Sequence, residues 1–172
     1  DIPSQDSLSH YFAALTLGEA ATATFITATE DDDFHFRFRT FADGHRLCRL
    51  PLSNVSMFDR SDETTLESRG KFFAHSTELV TATVRHIVET FQDGPEFSEG
   101  TYDVAFTHAA SMKAVDVLAR RLGIPIEICV ATHQDYGNTS AASVPLAMSL
   151  ALKDGRLARG KRLLLRVGSA GS

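Results

Sequence analysis

Apolar and polar positions alternate most cleanly in "DDDFHFRFRTF", where Phe34, Phe36 and Phe38 face one way and His35 and Arg37 the other. That period of two predicts a half-exposed strand, and the Thr- and aromatic-rich run Ala20 to Ala28 predicts another. Lys71 to Phe91 changes period. Phe73, Val80, Val84, Ile87, Val88 and Phe91 fall on one course and Phe72, His75, Leu79, Ala82, His86 and Glu89 on a second, which predicts a long amphipathic helix. Between these units, Leu50 to Gly70 is polar and irregular and reads as a loop. The acidic run Glu30 to Asp33 reads as a strand-to-strand turn with solvated carboxylates.

The second half of the chain is more regular. A strand from Tyr102 to Thr107 precedes a helix from Ala110 to Gly123. A strand from Ile126 to Thr132 precedes the helix in "SVPLAMSLALKDG", and "RLLLRVG" reads as a last strand. Gly123 and Gly155 stand where helix-ending glycines belong. Strands alternating with helices of this length require crossover connections, so the predicted fold class is α/β, with a mixed, largely parallel sheet covered by helices. Ligands of such sheets sit beyond the carboxyl ends of the strands.

Composition narrows the function classes. The 172 residues, 43% of them apolar, are enough for one domain, residues 1–172, with a real core. A net charge of -5 argues against a nucleic-acid partner. No stretch has the length of a membrane span, and none reads as a signal peptide, so the expectation is a protein without a membrane partner. Cys48 and Cys129 lie far apart in apolar contexts, without metal-ligand spacing. The expectation is therefore no metal, no cofactor and a reduced, cytoplasmic setting. The chain starts with Asp1, and "ATATFIT" already reads as a strand in full run, as in a piece of a longer protein.

Two strand ends carry the candidate chemistry: His108, after "YDVAFT", and Asn138, in "HQDYGNTSAASVPLA". Gly137 supplies a backbone conformation that other residues resist. An asparagine NH2 and an imidazole N–H can both donate to an oxygen that becomes negative in a transition state. Thr139, Ser140 or Ser143 can cap the following helix. Each residue also has an ordinary reading. Asn138 can be plain helix-start punctuation, and His108 a hydrogen-bonded structural histidine. His133 is a rival that reads as a solvated loop residue. Cys48 and Cys129 read as core thiols rather than nucleophiles.

"GNTSAASVPLAMSLALKDGRLARGKRLLL", from Gly137 to Leu165, resembles the signature near the carboxyl end of the β-ketoacyl-acyl carrier protein synthase III family, in the thiolase-like ketosynthase superfamily. "YDVAFTHAASMKAVDVLARRLGI" is similar to the segment where the family's catalytic histidine ends a strand, and "LGEAATATFI" to the one that opens its second half. The resemblance implies the carboxyl-terminal half of a thiolase-like fold, with the nucleophilic cysteine in an amino-terminal half outside this chain. His108 and Asn138 then match the two residues that stabilise the enolate formed when a malonyl carrier-protein thioester loses carbon dioxide. Gly137, Gly168 and Ser169 match oxyanion and turn support.

Acyl-CoA and acyl carrier protein are the implied substrates, in fatty acid or polyketide initiation, with a homodimer and the chain's own amino-terminal half as partners. This chain alone is expected to be inactive. Lys113, Arg120 and Arg121 on the outer face of the helix after His108 would dock the acidic carrier; the same residues also read as a solvated face with an Asp116–Arg120 pair. "HAAS" after the strand and "VGSAGS" at the end depart from the family pattern. Two alternatives therefore stay open: an acyltransferase of a natural-product pathway on the same scaffold, with His108 as general base, and a non-catalytic partner subunit.

Overall fold

A computed structural model describes residues 15–28, 30, 34–49, 73–108 and 111–168. Its elements in order are β1 (Cys48–Arg49), β2 (Phe73–Ala74), α1 (Ser76–Gln92), α2 (Pro95–Ser98), β3 (Val104–Thr107), α3 (Met112–Leu122), β4 (Cys129–Val130), α4 (His133–Tyr136), α5 (Ser143–Lys153) and β5 (Leu163–Arg166). Strands β1 and β2 form a small antiparallel pair. The main sheet has the order β4-β3-β5, and both of its pairings are parallel.

Strand β3 is central and buried along its whole length, as a parallel strand covered on both faces must be. Val104 and Phe106 face α5, packing with Val144, Ala147 and Ala151. Ala105 faces the other way, with Leu164 of β5, and Phe91 of α1 and Leu122 of α3 pack against them. The result is a three-layer arrangement that sets α5 on one face and α1 with α3 on the other.

Local chemistry explains where these helices start and stop. The Ser111 hydroxyl caps α3 by accepting from the Ala114 N–H at 3.2 Å, and Gly123 closes the helix in the left-handed region at φ 67°. Val115, Leu118 and Ala119 form its buried face. On α1, His86 is buried and stacked on the Phe41 ring, with centroids 3.8 Å apart.

Several sequence expectations need correction. The long helix begins at Ser76, because Phe73–Ala74 pairs with β1 instead. The strand expected over residues 126–132 is a 3-10 turn at Ile126–Ile128, followed by only Cys129–Val130. Residues 20–28 and 34–38 form no ladder among the described residues. Phe25, Phe34, Phe36 and Phe38 point to solvent, while on the polar side Arg37 pairs with Glu96 at 3.1 Å and Arg39 with Asp93 at 2.5 Å. The loop expected at 50–70 and the turn residues 31–33 lie outside the described residues.

Candidate functional site

His108 follows the last residue of β3, and its backbone N–H donates to the Arg166 carbonyl at 3.1 Å, which ties it to the carboxyl end of β5. Alternation along the strand puts its ring on the α5 side. There Nδ1 lies 2.8 Å from Oγ of Ser143, the first residue of α5. Burial alone pushes the imidazole pKa below its ordinary value of 6.5 and keeps the ring neutral at neutral pH.

Ser143 does not cap its helix. The N-cap position is Ala142 without a side-chain bond, and the Ser143 hydroxyl donates to the Ser140 carbonyl at 2.8 Å. The capping role expected for Ser140 or Ser143 is thus replaced by a link between His108 and the loop that carries Asn138.

Asn138 is held through its backbone and through its amide. A parallel bridge pairs it with Leu17: its N–H donates to the Thr16 carbonyl at 2.7 Å, and its carbonyl accepts from Gly18 at 3.0 Å. The close approach needs both flanking glycines. A Cβ on Gly18 would stand 1.7 Å from the Tyr136 carbonyl oxygen; one on Gly137, itself at φ 68°, would stand 2.8 Å from the Thr16 oxygen. The side-chain oxygen Oδ1 accepts from the Ser140 N–H at 3.0 Å, an Asx-type contact that steadies Ser140 at the unusual φ of 52°. With Oδ1 committed, the carboxamide NH2 is the end left to donate to a ligand.

His108 and Asn138 therefore share one anchor, Ser140: its N–H fixes the asparagine amide and its carbonyl holds the serine that touches the imidazole. A cavity of about 410 Å³ opens on the Asn138 side, lined by Leu15, Leu17, His133, Tyr136, Gly137 and Asn138 among others. His108 does not line it. His133 does, which corrects its reading as a solvated loop residue. It is half-buried, its Nδ1 is shielded and has no partner among the described residues, and burial lowers its pKa.

The remaining candidates are placed as follows. Gly168 packs so closely on α1 that a Cβ would stand 2.5 Å from Thr83 Cγ2, and Ser169 lies outside the described residues. Lys113, Arg120 and Arg121 are exposed on α3, with Arg120 bound to Asp116 at 2.8 Å. Cys48 is buried in β1, and burial pushes its thiol up. Cys129 is half-buried and accepts from Arg166 Nη2 at 3.3 Å. Arg166 escaped sequence reasoning, although an arginine inside "RLLLRVG" was a visible irregularity. Among the described residues no group of three His, Cys, Asp or Glu is placed to hold a metal ion, and no helix is long and apolar enough to cross a membrane.

Known proteins give a consistent match. The family model described as 3-oxoacyl-[acyl-carrier-protein (ACP)] synthase III C terminal matches residues 95–172. The β-ketoacyl-[acyl-carrier-protein] synthase III of Campylobacter fetus is 30% identical over 152 residues, 86% of this chain and 46% of that protein. The Pectobacterium atrosepticum synthase III is 30% identical over 159 residues, 91% of this chain and 48% of its own length. Among solved structures, the Aquifex aeolicus 3-oxoacyl-[acyl-carrier-protein] synthase III superposes with a TM-score of 0.55 at 31% identity, over 59% of this chain and 34% of that one. Xanthomonas campestris OleA superposes with a TM-score of 0.70 at 17% identity, over 98% of this chain and 46% of that one, a likeness of fold alone. The chain spans about half the length of the curated relatives it matches. On the family model over residues 95–172 and the 30% identity to synthase III relatives over 86% and 91% of its length, the chain belongs to the β-ketoacyl-acyl carrier protein synthase III family.

Proposed function

We propose that this chain is the carboxyl-terminal catalytic half of a condensing enzyme, which joins an acyl group from acyl-CoA to a malonyl-acyl carrier protein with loss of carbon dioxide. The observation that carries this reading is the committed orientation of Asn138: Ser140 holds Oδ1, so the NH2 is the end presented beside the cavity. Decarboxylation of a malonyl thioester puts negative charge on the thioester oxygen, and a fixed donor there lowers the barrier without a metal. Removal of one such donor costs about 3 kcal/mol, or roughly 10²–10³ in rate. In the complete protein, Asn138→Ala and His108→Ala should each slow malonyl decarboxylation by about that factor. Carbon dioxide release at the unaltered rate in both variants would overturn the assignment.

A second reading, transfer of the acyl group to an alcohol or amine, is favoured by the neutral, burial-shifted His108, since a neutral imidazole can serve as general base. Product analysis separates the two: a carbon-carbon bond with carbon dioxide release, or an ester or amide without it.

The partners we assign are the amino-terminal half of the same protein, a second copy, and the carrier protein. Acidic carriers would meet α3, where Lys113 and Arg121 are exposed and Arg120 is engaged by Asp116. Arg121→Glu in the complete protein should raise the KM for the carrier-bound substrate several-fold and leave thioester exchange with acyl-CoA unchanged. An equal effect on both substrates would remove the docking surface.

A further inference from the structure

We propose that Cys129 is a modification site for peroxide, a thiol that the buried Arg166 guanidinium prepares to carry an oxygen. The two residues meet across the sheet. Cys129 on β4 and Leu164 on β5 both pair with Ala105 of β3, and Arg166 pairs with Thr107, two positions on. All of these side chains therefore stand on the face that α1 and α3 cover. The arginine crosses β3 over the small Ala105 and Thr107, and its Nη2 donates to Cys129 Sγ at 3.3 Å. The thiol hydrogen points away, toward the Pro125 carbonyl at 3.6 Å, so a sulfur lone pair faces the guanidinium.

The state of the arginine points to the oxygen. Arg166 is more than nine-tenths buried, and its Nε and Nη1 donors meet no acceptor among the described residues. A thiol sulfur is a weak acceptor and leaves such donors underused. A sulfenic acid adds an oxygen to that same sulfur, and its anion takes the strong, charge-assisted bonds that a guanidinium fork offers. The setting is thus better matched to the oxidised sulfur than to the thiol. Cys129 is also only half-buried, which gives a small peroxide access to it, whereas Cys48 is buried in β1 and burial pushes its thiol up. A partly open, electropositive surrounding is what separates reactive thiols from inert core ones.

The oxidant is a hydroperoxide. The sulfur bonds one peroxide oxygen as the oxygen–oxygen bond breaks, and the departing oxygen takes the thiol proton and leaves as water, or as an alcohol from an organic hydroperoxide. Sulfur gives up two electrons, the peroxide gains them, and Cys129 becomes a sulfenic acid. Negative charge builds on the oxygens during this transfer beside a cation whose idle donors are in place before it forms. None of these steps depends on which acyl reaction the complete protein performs.

The complete protein, treated with hydrogen peroxide and the sulfenic-acid trap dimedone, reports both thiols by peptide mass spectrometry, apart from any other cysteine. Cys129 should label faster in the folded protein than in the same protein unfolded in urea, despite its partial burial, and Cys48 should label more slowly folded than unfolded. A hydrogen bond to a charged group is worth about tenfold, so Arg166→Met should slow Cys129 about tenfold and leave the Cys48 rate unchanged. Arg166→Lys, which keeps the charge without the fork, should fall between the two. Equal Cys129 rates in Arg166→Met and the unaltered protein, or a Cys129 that reacts no faster folded than unfolded, overturns the proposal. Should Arg166→Met fail to fold, seen as a rise in Cys48 labelling, the folded-to-unfolded ratio at Cys129 in the unaltered protein decides alone.

Discussion

Arg166 is 4% exposed, and its Nε and Nη1 find no partner among the described residues. Among the described residues its Nη2 donates to the Cys129 sulfur, a weak acceptor, and burial pushes the guanidinium below its ordinary pKa. An uncompensated buried cation costs more than an apolar side chain of similar length. Arg166→Met should therefore stabilise the isolated chain by about 1 kcal/mol, read as a rise of about 2–4 °C in Tm. A fall in Tm would mean that the cation is compensated. His108 and Asn138 were legible as candidates because strand ends and a Gly-Asn turn are local signals. The Ser143 link was not, since a serine before an apolar helix looks like a cap, and the imidazole it meets is 35 positions away.

At the level of elements, α3 and α5 were readable because capping, glycine stops and apolar spacing are all written within one turn of the helix they define. Strands were less readable than helices. Whether residues 20–28 and 34–38 join a sheet depends on a partner strand, which no local pattern encodes. Among the described residues they pair with no strand, and Phe25 is 96% and Phe38 87% exposed. The exposed ion pairs of Arg37 and Arg39 add little to hold the second segment. Open backbone beside exposed aromatics is a template for another strand. The isolated chain should accordingly self-associate, with light scattering giving a mass above 18.8 kDa that falls toward it in the double variant Phe36→Lys, Phe38→Lys. A strictly monomeric chain at high concentration would count against this surface as an interface.

For the whole molecule, the α/β class and the parallel order around β3 follow from the alternation of elements, while the shortness of β4 and the open faces do not. The bridge between Leu17 and Asn138 joins positions about 120 residues apart. Closing so long a loop carries an entropic cost that local contacts do not repay. During synthesis the segment around Thr16 leaves the ribosome long before its partner exists, and it must wait until residue 138 has been made and Gly137 has turned. The amide that faces the cavity is therefore set among the last steps of folding, and an aligned Asn138 is a sign that the chain has been completed through both ends of that loop.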